Sequence, residues 1–410
     1  MRFLATMNRD HARAGRNMPA VVVGNLNLLR CLGGPKIHVV LASSKANRVA
    51  FFSRIADKTI EIPGPTNTPQ EFVEALLSLG RSLEPLRPVL FYDGDADLLC
   101  ISRNRGELGR YYRFNLPSAS LVETLLDKSA FARFALERAL PVPRTYAVIR
   151  HGEASETAVG IRYPVLIKPL SRVGWLGTDL SKFLAKGGKA FHALGAGDME
   201  HTLAVCKAQK ADMLIQQLVR GSETSIESYH SYVGVEGEII GEFTGKKHRT
   251  YPQQYGLSVH IEVCDLPDVK ELGRRIVQTI GLTGISKIDF KRDAESRELY
   301  LLEINPRFSI WNYPGAVAGV NLPLFALRDL TGTKLPAPVS RVCPVRWVDG
   351  ALSRRAIAEA SSSMKEFWIL CWKEMVGYRV VYNIWSWKDP GPFLYYGMQS
   401  AVRMLRKLFG

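Results

Sequence analysis

The chain has 410 residues, a formal net charge of +15, 46% hydrophobic residues and a mean hydropathy near zero. That length exceeds one ordinary core, so two or three domains are expected, and the composition excludes a disordered or fibrous chain. The positive excess favours an anionic ligand or surface without choosing among nucleotide, acidic metabolite, nucleic acid and anionic lipid.

Six cysteines (31, 100, 206, 264, 343 and 371) stand far apart, with no CxxC pair and no histidines at zinc spacing. Structural disulfides and zinc are not expected, and a cytoplasmic, reducing setting is. No apolar run approaches the roughly 20 residues of a spanning helix. Residues 1–19 are basic, lack the apolar core of a secretory signal and read as a flexible lead-in.

Regular structure begins with a strand at Ala20-Val21-Val22-Val23-Gly24, a helical segment near Leu26 to Leu32, and a second strand from Lys36 to Leu41. A helix at Thr68 to Leu79 and a strand at Pro88 to Tyr92 continue the alternation, which predicts a parallel α/β sheet over 20–116. The glycines here do not form GxGxxG, so no nicotinamide or flavin site is read. Asp93-Gly94-Asp95-Ala96-Asp97 sits at a strand end, where it either lines a ligand crevice or forms a turn of solvated acids.

From Pro117 the pattern changes. One or two helices are expected between Ser120 and Ala139, stopped by Pro141-Val142-Pro143. Strands follow at Tyr163 to Pro169 and Met213 to Val219, a β-rich stretch at Glu223 to Val263, and a helix at Asp268 to Gly281. Lys168 ends its strand between apolar neighbours, where a fixed positive charge suits a phosphate.

The richest segment is Lys287-Ile288-Asp289-Phe290, followed by Tyr300-Leu301-Leu302-Glu303-Ile304-Asn305-Pro306-Arg307. Side chains alternate along a strand. A hairpin turning near Ser296 therefore sets Asp289 opposite Glu303 and Lys287 opposite Asn305, with Ile288, Phe290, Leu302 and Ile304 on the other face. Such a cluster suits Mg²⁺, which takes one or two carboxylates plus nucleotide phosphates. A half-buried hairpin with its polar face in water is the alternative.

The order of a lysine in "DK", a lysine in "IKP", a hinge ending in "GSE", an Asp and then "EINPR" resembles the ATP-grasp superfamily over roughly Pro117 to Thr333. Within it the chain looks most like carboxylate–amine ligases such as D-aspartate ligase and relatives of carbamoyl-phosphate synthase. The resemblance implies an α/β fold in five parts. These are the lead-in, a pre-ATP-grasp domain (20–116), a small ATP-grasp subdomain (117–212), a Mg-ATP subdomain (213–335) and a Trp-rich basic helical tail (336–410).

It further implies that Lys128 and Lys168 contact the phosphates of ATP, that Gln216, Gln217, Leu218 and Val219 form the adenine hinge, and that Glu223 binds the ribose. Asp289, Glu303 and Asn305 would hold Mg²⁺, with Mn²⁺ as a substitute. Lys287 falls where related ligases often place a basic residue, and Arg307 would hold the transferring phosphate or the acyl oxyanion. The loop Ser171 to Gly188 would cover the phosphates. Gln216 departs from the acid many relatives carry there, which weakens strict preference for ATP. The implied reaction joins a small-molecule carboxylate to an amine through an acyl phosphate.

The basic, aromatic stretch Gly245 to Gly256 offers Arg249 or Lys246 for an acidic group of the acyl substrate; a solvated hairpin end is the alternative, and the run is too short to argue for nucleic acid. His248 is either a proton acceptor or a surface histidine. Residues 345 to 410 hold five of the seven tryptophans, and helices are expected at Met364 to Val376 and Phe393 to Phe409. Either residues 364–410 pack on the core or a partner subunit, or they lie on an anionic membrane surface. Rival readings are a thiol or hydroxyl acceptor and a non-catalytic nucleotide-binding assembly protein docked through the tail.

Overall fold

The computed structural model describes residues 18–34, 36–157, 160–170, 175, 184, 190–335 and 342–409. Most of the lead-in and of the expected phosphate-covering loop lies outside the described residues. The first sheet is parallel, with β1 (Met18–Val23), β2 (Ile37–Ser43), β3 (Lys58–Glu61) and β4 (Val89–Tyr92) in the order β3-β2-β1-β4. Its central strands are near-continuous apolar runs because both faces are covered. Val21, Val23 and Val40 pack beneath α2 (Pro69–Ser82), while Val22 and Leu41 share a core with Phe308, Trp311, Leu322 and Trp347 from much later in the chain. Each such fully buried apolar side chain contributes roughly 1.5–3 kcal/mol. Asn25 caps the short α1 (Leu26–Arg30) by accepting from the N–H groups of Asn27 and Leu28. The strand β3 and the helices α3 (Asp95–Arg103) and α4 (Arg105–Tyr111) were not expected from sequence.

Two helices, α5 (Ala119–Leu126) and α6 (Lys128–Glu137), meet at Asp127, whose carboxylate caps the second. The second sheet has β5 (Thr145–Arg150), β6 (Glu153–Thr157), β7 (Val165–Pro169), β8 (Phe191–Ala193) and β9 (Met213–Gln217) in the order β6-β5-β9-β7-β8. The helix α7 (Ala196–Ala208) packs on it through Met199 and Cys206. The strand β9 belongs to this sheet, so the sheet runs past the expected boundary at 212 to Gln217.

The third sheet has seven strands in the order β14-β13-β10-β11-β12-β15-β16. Those strands are β10 (Ile226–Val233), β11 (Ile239–Tyr251), β12 (Leu257–Val263), β13 (Gly284–Arg292), β14 (Leu299–Asn305), β15 (Val345–Val348) and β16 (Arg379–Tyr382). Beneath it, α8 (Pro267–Ile280) joins α5 and α6 around Ile288, Phe290 and Ile304. The helices α9 (Asn312–Val317) and α10 (Leu322–Leu330) bridge to the first sheet's core.

Beyond 341 come α11 (Gly350–Ala360), α12 (Met364–Met375) and α13 (Gly391–Phe409). The two expected helices are present, and the helical tail also contributes two short strands. The strand β15 pairs antiparallel with β12, β16 adds to it in parallel, and the indole of Trp347 is buried.

Candidate active site

The hairpin β13–β14 has the register expected from sequence: Asp289 opposite Glu303 and Lys287 opposite Asn305. A bulge after Asp289 admits Leu302 as an extra residue. Leu301 is therefore the side chain sealed in the core, and the expectation for Leu302 is corrected. Asp289 is buried, and its Oδ2 accepts from Lys287 Nζ at 2.6 Å and Lys247 Nζ at 3.2 Å. Burial alone would raise its pKa, but the two lysines hold it well below the carboxylate range. Burial works against both ammonium charges; Asp289 outweighs it at Lys247 and not at Lys287.

The other oxygen of Asp289, Oδ1, is buried without a hydrogen-bond partner. An unsatisfied buried carboxylate oxygen is costly unless a ligand completes it. Glu303 stands opposite, more than half exposed, and accepts from Asn305 Nδ2 at 3.1 Å. Two carboxylates and an amide converge there, and their oxygens suit a hard cation such as Mg²⁺. Among the described residues no three His, Cys, Asp or Glu side chains gather into a metal cage. A cation at this place would therefore draw its remaining ligands from phosphate or water.

Lys168 enters from the second sheet. Its charge interacts with Glu303, Lys128, Lys291 and Glu223, and burial, aided by the two lysines, lowers its pKa to about 8. Lys128 donates through Nζ to the carbonyl of Pro169, which brings the two lysines expected at the phosphates together. Below the group lies His230, stacked on Phe243 at 4.5 Å and hydrogen-bonded to Ser228. Burial first, then Lys287 and Lys247, push its pKa well down, so it is a neutral floor.

The hinge residues diverge. Gln216 is buried and donates to Thr145 Oγ1 at 3.3 Å, and Gln217 exchanges hydrogen bonds with the Arg144 backbone. Leu218 and Val219 line a cavity of about 240 Å³ with Glu223, Tyr255, His192 and Lys291. The hinge is fastened to the β13–β14 turn: Arg220 donates to both oxygens of Asp293, at 2.8 and 3.1 Å, and its carbonyl accepts from Ala294 N–H. Across the cavity mouth the His192 ring nitrogen meets the Tyr255 hydroxyl, joining the second and third sheets.

Arg307 spans to the first domain. Its guanidinium pairs with Asp95, and its charge also feels Glu303 and Asp93. Asp97 is buried and Asp93 half-buried, and desolvation raises their pKa values to about 6 and about 7.

Arg249 does not join the set. A bulge at His248 separates it from Lys247, and it donates instead to Ser353 at 2.9 Å and pairs with Glu374. The expectation of Arg249 at the acyl substrate is corrected accordingly. His248 is paired with Glu262 at 2.6 Å. The residue that does reach Asp289 from this strand, Lys247, was missed. Lys291 was also missed, although two-residue alternation from Lys287 through Asp289 points to it.

Comparison with known proteins fits this geometry. The family model described as "ATP-grasp in the biosynthetic pathway with Ter operon" matches residues 209–351. The chain is 23% identical over 189 residues to the carbamoyl phosphate synthase arginine-specific large chain of Halalkalibacterium halodurans, covering 45% of this chain and 17% of that one. It is 22% identical over 218 residues to the D-alanine–D-alanine ligase of Albidiferax ferrireducens, covering 50% and 60%. The chain thus spans less than two thirds of these curated relatives. Among solved structures, the ADP complex of an N5-carboxyaminoimidazole ribonucleotide synthetase superposes with a TM-score of 0.60 at 14% identity, covering 82% of this chain and 81% of that one. The fold is that of the ATP-grasp proteins, and the resemblance to ATP-grasp ligases is borne out.

Proposed function

We propose that this ATP-grasp chain is a carboxylate–amine ligase that uses ATP and Mg²⁺ to make an acyl phosphate. The observation that carries the reading is the orphaned Asp289 Oδ1, buried opposite Glu303 and ringed by lysines. A purely structural hairpin gains nothing from an unpartnered carboxylate oxygen, whereas a magnesium–triphosphate completes it.

The chemistry follows from charge. A carboxylate attacking a γ-phosphate brings two anions together. Lys168, Lys128, Lys247, Lys287 and Lys291 supply compact positive charges around the place where they would meet. Mg²⁺, held by Asp289, Glu303 and Asn305, would supply further charge neutralisation and orientation. The cavity at Leu218, Val219 and Glu223 is smaller than the roughly 300–1,000 Å³ of a typical whole-ligand site. It suits the nucleoside end, leaving the phosphates to the lysine-lined groove.

Arg307, between Glu303 and the Asp93–Asp97 turn, is the group suited to the acyl oxyanion that forms when an amine attacks.

The test is ADP release across a panel of small carboxylic acids, each with amines and with hydroxylamine, which traps an activated acyl group whatever the natural acceptor. Lys168→Ala and Glu303→Ala should each lower turnover by at least about a hundredfold while leaving the melting transition cooperative. Wild-type turnover in either variant would refute the phosphate role of Lys168 or the metal role of Glu303.

A further inference from the structure

The C-terminal region carries a second surface with its own chemistry. Of the eighteen exposed large hydrophobic side chains among the described residues, twelve fall between Met364 and Val402. Trp368 and Trp372 are each 64% exposed, and Trp387 is 83% exposed. With Met364 and Leu394 they turn the outer sides of α12, α13 and the β16–α13 connection to solvent. Exposed apolar side chains concentrated in this way mark an interaction site.

The charges of the same region are sorted. Among the described residues, six of the charged side chains from 362 to 406 stand well exposed, and all six are basic: Lys365, Lys373, Arg379, Lys388, Arg403 and Arg406. The acids are engaged within the chain. Glu374 is buried against Arg249 and Ser353, Asp389 is buried against Arg30 and Ser53, and Glu366 is tied to Ser362.

The inner side of the region is already occupied, so the outer face is not waiting to fold onto the core. Arg30 donates to the carbonyls of Tyr382, Asn383 and Ile384, and Phe52 stacks on Tyr395 with ring centroids 3.9 Å apart. Between α12, β16 and α13 lies a cleft of about 500 Å³ with largely apolar walls, among them Trp368, Met375, Trp385 and Phe393.

We propose that this face docks the protein peripherally on an anionic lipid bilayer. Tryptophans belong at the headgroup level, the basic side chains meet anionic headgroups, and the cleft can take an acyl chain. No helix among the described residues is long and apolar enough to cross a membrane, so the attachment is interfacial. A second copy of the chain is the poorer occupant. A two-fold interface sets a patch against itself, and its six exposed cations would oppose six more.

The experiment is co-sedimentation of the full chain with vesicles of phosphatidylcholine alone or mixed with phosphatidylglycerol, with tryptophan emission and light scattering recorded in parallel. The expected result is capture by the anionic vesicles only, a blue shift, and weakening by added salt. Trp368→Ser/Trp372→Ser and Lys365→Glu/Lys373→Glu should each weaken capture by about tenfold or more without altering the melting transition. Failure to sediment with anionic vesicles, equal capture by neutral ones, or unchanged capture of both variants overturns the proposal. So does a concentration-dependent dimer that the tryptophan variant dissociates.

Discussion

Asp289 and Glu303 face each other across β13 and β14, yet one is sealed beneath two lysines while the other stands half in solvent. The pair is therefore built asymmetrically. Asp289 is a fixed anchor whose charge the two lysines favour, and Glu303, more than half exposed, can reach a ligand arriving from the groove.

That asymmetry predicts different failures. Asp289→Asn strips the counter-charge from Lys247 and Lys287 and should destabilise the fold by about 3–5 kcal/mol, the usual cost of breaking a buried ion pair. Glu303→Gln should leave the melting temperature of the free protein nearly unchanged. In wild type, Mg²⁺ with ADP should raise that temperature, since a ligand at a hundred times its Kd adds about 2.7 kcal/mol. Both variants should lose the Mg²⁺-dependent part. A full Mg²⁺ response in Glu303→Gln, measured by thermal denaturation, would remove the metal assignment.

Much of this was legible in advance, for a local reason. Register in a hairpin follows from two-residue periodicity and one turn, so the Asp289–Glu303 and Lys287–Asn305 pairs needed no tertiary information. What failed depended on bulges. One displaced Leu302 in favour of Leu301, and another turned Arg249 from the groove while Lys247 stayed. A bulge inserts a single residue with no sequence mark strong enough to see. The second class of misses is long-range: the Asn25–Asp93 hydrogen bond, the pairing of β15 with β12, and the Arg220–Asp293 clasp join segments whose proximity only the fold creates.

Lys168 gives a pH prediction for binding. Its pKa is lowered to about 8, chiefly by burial. Free protein therefore loses this positive charge as pH rises through about 8, and affinity for ADP or ATP should fall there, by up to tenfold per pH unit for a single essential proton. For stability the sign is opposite. The folded state releases the proton earlier than the unfolded chain, so stability rises between about 8 and the ordinary lysine value. Lys168→Arg keeps its charge throughout and should flatten the binding profile; a nucleotide titration from pH 7 to 10 compares the two.

Arg220 and Asp293 couple the nucleotide hinge to the metal hairpin. Asp293 is held well below the carboxylate range, first by its hydrogen bonds from Arg220 and then by backbone donors in the turn. Asp293→Ala should free the hinge and raise KM for ATP several-fold while kcat changes little, because no reacting atom is touched. Steady-state ADP release resolves the two parameters, and an equal loss in kcat would show that the clasp aligns the chemistry itself.

Asp93 predicts how stability depends on pH. Burial raises its pKa to about 7, against the stabilising hydrogen bond from Asn25 N–H at 2.9 Å. A group raised in the folded state holds its proton where the unfolded chain has lost it, so the folded protein binds more protons between about 4 and 7. Its contribution to stability is fully present below the ordinary carboxylate value and is lost as pH rises through about 7. Asp97, raised to about 6, adds in the same direction over a narrower window. Asp93→Asn keeps an oxygen for the Asn25 N–H and carries no charge to bury. It should melt several degrees above wild type at pH 8, with the difference vanishing near pH 4. Differential scanning calorimetry across that range decides it: parallel curves for the two proteins would mean that Asp93 is ionised in the fold at neutral pH, and that the turn beside Arg307 is charged.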